Sequence, residues 1–215
     1  MAQIFPKWTN HIPTILAVVG FLGLVGAVGF VWYYFSPWYT DVGYRPVQPV
    51  PYSHKLHAGD LAIDCRYCHT GVETQAHANV PPTQTCMNCH TMVKADSDKL
   101  ALVRESYQTR QPIEWIRIHN LPDYAYFNHS VHVRAGVGCI SCHGNIAEME
   151  VVKLAEPLSM GWCLDCHRNP DPHLRPVSEV TNMYWTAPDD HAEWVKRMKE
   201  EKDINPPDQC SACHH

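Results

Sequence analysis

The sequence predicts a mostly irregular, partly helical chain with one N-terminal transmembrane helix and little or no β-sheet, and three observations lead there. All ten cysteines of the 215 residues fall in five CxxCH units, residues 15–35 form an unbroken apolar run, and 17 prolines punctuate a chain in which Phe, Ile and Leu are sparse outside that run. So many cysteine units with so little aliphatic core favour short helices wedged between bulky groups.

The units are Cys65, Cys68 and His69; Cys86, Cys89 and His90; Cys139, Cys142 and His143; Cys163, Cys166 and His167; and Cys210, Cys213 and His214. A CxxC alone fits a zinc half-site, a redox dithiol or a disulfide. The histidine that follows each one separates these readings, because c-type haem attachment bonds both thiols to porphyrin vinyl groups and turns the next imidazole onto the iron. With no cysteine left over, the pattern implies five covalently bound haem c groups, whose apolar faces supply the missing core. The formal net charge of −5 becomes more negative with two propionates per haem, which excludes nucleic acid as a partner.

Residues 15–35, "ILAVVGFLGLVGAVGFVWYYF", are 21 uncharged and mostly apolar positions. As a helix they span roughly 30 Å, the hydrocarbon thickness of a bilayer. A cleaved signal peptide has an apolar stretch of about 7 to 15 residues and an A-x-A-like site, and this segment matches neither. Trp32, Tyr33, Tyr34, Trp38 and Tyr39 suit an interfacial aromatic belt against membrane lipid. Only Lys7 precedes the helix, so orientation rests on chemistry. Haem attachment takes place outside the bacterial cytoplasmic membrane, which puts residues 1–14 in the cytoplasm and the haem domain on the periplasmic side. Gly20, Gly23, Gly26 and Gly29 recur every three residues and predict a ridge on which another membrane helix packs.

Residues 36–51 read as an extended, proline-rich linker that lifts the haem domain off the bilayer. An internal repeat follows. "YSHKLHAGDLAIDCRYCH" (52–69) matches "YFNHSVHVRAGVGCISCH" (126–143), each with an aromatic, HxxH, a glycine and CxxCH, and a second CxxCH follows each. The expected organisation is a two-haem unit over 52–94, a connecting segment over 95–125 and a three-haem unit over 126–215. Within these, 95–108 and 189–202 read as short helices, the first burying Leu100 and Val103, the second Trp194 and Met198.

Each CxxCH supplies one axial ligand, and a low-spin electron carrier needs two. His54 and His57 are therefore assigned to the irons of the first unit, and His129 and His132 to the first two irons of the second. The fifth iron, at His214, lacks a partner. Met160 stands three residues ahead of Cys163 where the first unit has Thr83, and only the second unit precedes an extra haem. Met160 is thus the assigned ligand and His119 the runner-up, with His77, His173, His191 and Met183 behind.

On "HKLHAGDLAIDCRYCH", "PPTQTCMNCH", "LPDYAYFNHSVHVRAGVGCISCHG" and "SMGWCLDCHRNPDPHLRP", the chain resembles class III, c7-like multihaem cytochromes and, over about residues 10–215, the membrane-anchored pentahaem subunit of bacterial alternative complex III. The resemblance implies that the first histidine of each HxxH caps its unit's first haem and the second caps the next. It also implies partners: polytopic membrane subunits that oxidise quinol, an iron–sulfur subunit, a mono-haem cytochrome c and a terminal oxidase. The chain then relays electrons and is no enzyme by itself. A stand-alone quinol dehydrogenase of the NapC/NrfH type is the alternative, although there the first CxxCH lies close behind the helix and here 29 residues intervene between Phe35 and Cys65. A multihaem substrate-converting enzyme needs an iron with an open position, and ligand candidates here equal or exceed the irons. No phosphate loop, nucleophile elbow or catalytic triad pattern is present.

Overall fold

The computed structural model describes residues 4–214 of the chain. Residues 1–3 of the expected N-terminal segment and His215 at the end of the expected three-haem unit lie outside the described residues. The chain divides into Met1–Asp41 and Val42–His215.

In the first unit a 3-10 turn, Lys7–His11, leads into α1, Ile12–Tyr34. Pro13 sits in the first turn of α1, where its missing N–H costs nothing. The helix has 23 residues, about 35 Å at 1.5 Å per residue. It is apolar on every face and buries no residue, so it is long and apolar enough to cross a membrane. It begins three residues before the predicted run because Ile12, Pro13 and Thr14 are all compatible with a first helical turn. Ser36 then hands over to the one-turn α2, Pro37–Thr40, and Tyr39 packs on Tyr34 with ring centroids 4.5 Å apart.

The second unit contains α3 (Cys65–Cys68), α4 (Thr83–His90), α5 (Ala101–Thr109), α6 (His129–Ala135), α7 (Ile140–His143), α8 (Met160–Arg168), α9 (His191–Lys202) and α10 (Cys210–Cys213). Among the described residues the nearest thing to a sheet is an isolated bridge between Val137 and Leu174. Side-chain caps start three of these helices: Asp64 accepts from Arg66 N, Asn128 from Ser130 N and Ser159 from Trp162 N.

Two small cores hold this unit. Val50, Met87 and Val103 form one, with Cys86, Leu100, Ile113 and Trp115 around it. Leu174, Val195 and Met198 form the other, with Val137, Trp194 and Ile204. The helix expected over 95–108 begins only at Ala101 after a 3-10 turn at Asp98–Leu100, and it buries Val103 with Leu100 packed beside it. Helix α9 spans Val195 and Met198 as its buried face, with Trp194 at the edge. The stretch read as a linker is folded from residue 43 onward. Gly43 N donates to Leu154 O at 2.7 Å, Leu154 N donates to Tyr44 O at 3.0 Å, and the Gln48 side chain pairs with both backbone groups of Ile116. Prolines at 46, 49 and 51 straighten the backbone without preventing it from docking, and Val50 between them is only 5% exposed.

Candidate haem-binding site

The two HxxH segments solve one problem with different backbones. His54 N-caps a π-helical turn, Lys55–Asp60, whereas His129 and His132 lie within the α-helix α6. The π turn passes so close to residues 146–148 that a Cβ at Gly59 would run into the Ala147 carbonyl oxygen. Helix α6 ends at Gly136, with φ +89°, where Arg175 O leaves no room for a side chain.

An aromatic ring two residues ahead of each HxxH sets both imidazoles. Tyr52 stacks on His57 (4.5 Å, 22°) and meets His54 edge-on (4.7 Å, 85°). Phe127 repeats this on His132 (4.5 Å, 29°) and His129 (4.8 Å, 86°). The sequence repeat shows an aromatic there, but its use as a platform for two rings at right angles becomes visible only in three dimensions.

Histidines then meet in twos. His57 faces His90 of α4 at 6.2 Å between ring centroids, His129 faces His143 of α7 at 6.4 Å, and His132 faces His167 of α8 at 6.1 Å. Rings in direct contact in this chain sit closer, as His119 and His143 do at 4.3 Å. Two imidazoles that ligate one metal atom from opposite sides through Nε2 at about 2.0 Å bring their centroids to about 6.3 Å. The three separations fit a metal held between each pair. His54 and His69 are close enough for His69 to depress the proton affinity of His54.

Hydrogen bonds orient the rings. Nδ1 of His57 donates to Ser53 O, of His69 to Asn79 O, of His90 to Val93 O, of His129 to Ala76 O, of His132 to Asn128 O, of His167 to Pro207 O and of His214 to Tyr124 O, all between 2.6 and 2.9 Å. A carbonyl oxygen only accepts, so the ring proton is on Nδ1 and the Nε2 lone pair is free to ligate. His143 Nδ1 instead lies 3.2 Å from His119 Nε2. The buried Nδ1 of His54 has no hydrogen-bond partner among the described residues. His191 is turned the other way, its Nε2 meeting Leu174 O at 2.8 Å.

Burial pushes His54 and His119 down to about 4 and His143 to about 3, so these rings are neutral at ordinary pH. Burial likewise pushes the thiols of Cys139 and Cys142 up to about 11 and about 12. All ten cysteines are free, and among the described residues no three His, Cys, Asp or Glu side chains converge into a metal cage. Paired histidines beside paired free thiols fit c-type haem and not a zinc ligand set. Met160 opens α8 with 67% of its surface exposed, His77 is exposed and Met183 is buried.

The cytochrome c7 and related cytochrome c family matches residues 125–215. The chain carries a c7-like multihaem cytochrome domain. The cytochrome is also 30% identical over 135 residues to the multihaem cytochrome c subunit of a menaquinone reductase from Nitratidesulfovibrio vulgaris, strain Hildenborough. That alignment covers 62% of this cytochrome and 61% of the relative's own length.

Proposed function

We propose that this cytochrome is the five-haem, membrane-anchored electron-transfer subunit of a quinol-oxidising complex of the alternative complex III type. The observation that carries the reading is the spacing of the paired imidazoles, 6.1 to 6.4 Å, repeated at three CxxCH motifs. Each haem, when bound, supplies a reversible one-electron couple at its iron. The chain's residues do the rest. The ten cysteines would anchor the five groups, His69, His90, His143, His167 and His214 would each hold an iron, and His54, His57, His129 and His132 would supply the second ligand to four of them.

Met160 is assigned to the fifth iron. It lies one helical turn before Cys163 on α8, and Cys163 is near enough to Cys213 for that thiol to raise its pKa.

The attachment sites form a single file that does not follow the sequence. Cys68 neighbours Cys86 and Cys89, and the HxxH of His54 and His57 serves both their sites. Cys139 neighbours Cys65, and the loop 70–79 gives carbonyls to both His69 and His129. Cys142 neighbours Cys166 and Cys163, and Cys163 neighbours Cys213. The order is therefore 86–90, 65–69, 139–143, 163–167, 210–214. One end of the wire is the second motif and the other is the C-terminal motif.

The single helix α1 anchors this wire, with the N-terminus cytoplasmic and Val42–His215 periplasmic in a bacterial inner membrane. Its partners in this reading are polytopic quinol-oxidising subunits, an iron–sulfur subunit, a mono-haem cytochrome c and a terminal oxidase. The relative's name speaks of quinone reduction. Such a file conducts either way, and the potentials of its two ends set the direction. Purified subunit in detergent, mixed with reduced quinol, stays oxidised on the turnover timescale, while the intact complex turns over. Rapid reduction of the isolated subunit overturns this reading in favour of a stand-alone quinol dehydrogenase.

A further inference from the structure

His143 belongs to the middle site of the file, and its Nδ1 partner differs in kind from all the others. Seven of the motif and HxxH histidines donate from Nδ1 to a peptide carbonyl; His143 faces a second imidazole, His119, at 3.2 Å from Nδ1 to Nε2, with ring centroids 4.3 Å apart at 71°. An imidazole that ligates through Nε2 carries its proton on Nδ1. The contact is therefore His143 Nδ1–H donating to the bare Nε2 of a neutral His119.

An imidazole nitrogen is a stronger base than a peptide oxygen. It pulls harder on the shared proton and leaves more negative charge on the His143 ring, and a more basic ligand favours the ferric state. His119 is held by its own backbone, since Arg117 Nε donates to its carbonyl and the Gln48 side chain fastens Ile116 on both backbone groups. Gln48, 68 positions from Ile116, thus ties down the segment that carries His119.

We infer that His119 is a positioning residue that lowers the reduction potential of the site at His143, at the centre of the file. The inference rests on the assignment of His129 and His143 as a ligand pair. It also gives His119 a task other than ligating the iron at His214.

The test uses the full-length, haem-loaded chain in detergent, titrated electrochemically and followed by EPR. The His129–His143 planes lie 12° apart, against 64° for His57–His90 and 40° for His132–His167. Near-parallel imidazoles give an ordinary rhombic ferric spectrum and steeply crossed ones a highly anisotropic signal, so the middle site is read separately from His57–His90, and its g-values are told from those of the intermediate His132–His167 by the site that the His119 and His129 variants alter. His119→Phe removes the acceptor and shifts the reduction equilibrium of the rhombic site about tenfold toward ferrous, about 59 mV for one electron. His119→Gln, whose amide oxygen accepts as a peptide carbonyl does, falls between His119→Phe and wild type.

Unchanged midpoints in His119→Phe with all haems retained overturn the inference. If His119→Phe loses a haem, His119→Gln decides alone: a midpoint equal to wild type overturns the inference, and a raised one supports it. A separate control addresses the ligand pair. His129→Met alters the rhombic signal if His129 ligates; an unaltered signal refutes the pairing itself and leaves the role of His119 with no site to act on.

Discussion

A ligating histidine works through both of its nitrogens, and in this cytochrome it is Nδ1, the nitrogen that would face away from a metal held at Nε2, whose partners the structure fixes. Seven Nδ1 atoms end on peptide carbonyls, contributed by residues from three to 90 positions away in sequence. Fixing the far nitrogen fixes the tautomer and rotation of the near one, so the proposed ligation would need little reorganisation. Met160 has no such support and sits exposed at the start of α8. If it ligates the iron at His214, the oxidised protein shows a near-infrared methionine–iron band, which Met160→His abolishes while lowering one midpoint potential. A band that survives the substitution places the ligand elsewhere. Asp64 makes a different prediction. It caps α3, forms a two-point pair with Arg66 at 2.8 Å and accepts from Thr181 Oγ1 at 2.9 Å. Chiefly through the Arg66 hydrogen bond, its carboxyl is held at about 2 against 3.8. A depressed carboxylate stabilises the fold above its unfolded pKa and stops doing so as pH falls through the folded one. Asp64→Asn is expected to be less stable than wild type at neutral pH, and the gap is expected to close between pH 3.8 and about 2 in denaturant titrations. Replacement by Ala additionally removes the cap, worth about 1 kcal/mol.

At the level of elements, one HxxH spelling gives a π turn in one repeat and an α-helix in the other, because the motif fixes the identity and spacing of two imidazoles and leaves the backbone to its surroundings. The motif could therefore be read from sequence while its conformation could not. The five CxxCH units and the two HxxH pairs were legible because they are local in the chain. The carbonyls of Ala76, Pro207 and Tyr124 and the imidazole of His119 were not, since any residue offers a carbonyl and nothing in "RIHNLPD" points at His143. Residues 43–51 misled for a related reason. Prolines report an extended backbone, and an extended backbone docks as readily as it spans open space. Gly136 is a second local device. Gly136→Ala forces a side chain into a left-handed conformation, costing about 1–2 kcal/mol, and into Arg175 O besides. A lower denaturation midpoint with unchanged haem content is the expected result. On α1, apart from the helix's own backbone, none of the described residues lies within 4 Å of where a Cβ would stand on Gly20, Gly23, Gly26 or Gly29. Gly23→Leu with Gly26→Leu is expected to leave the haems in place and release the subunit from its membrane partners. Recovery of the intact complex with that double variant would count against a packing role for the ridge.

For the molecule as a whole, the protein interior among the described residues from Val42 onward amounts to two small clusters and a scatter of single buried side chains. A domain of this length normally buries far more of its own aliphatic surface. The attached groups are thus part of the folding energetics, and chain produced without haem attachment is expected to be cut rapidly by protease at sites the loaded protein protects. The loop at 70–79 carries this dependence across the repeat. Asn79 O orients His69 of the first repeat, while Ala76 O and Gln75 O receive His129 and Ser130 of the second. Of the two repeats, the second does not complete itself, because His129 is oriented by a carbonyl of the first. The second cannot be transplanted, circularly permuted away from the first or matured ahead of it without leaving His129 unoriented, so the duplicates have become a single heritable part.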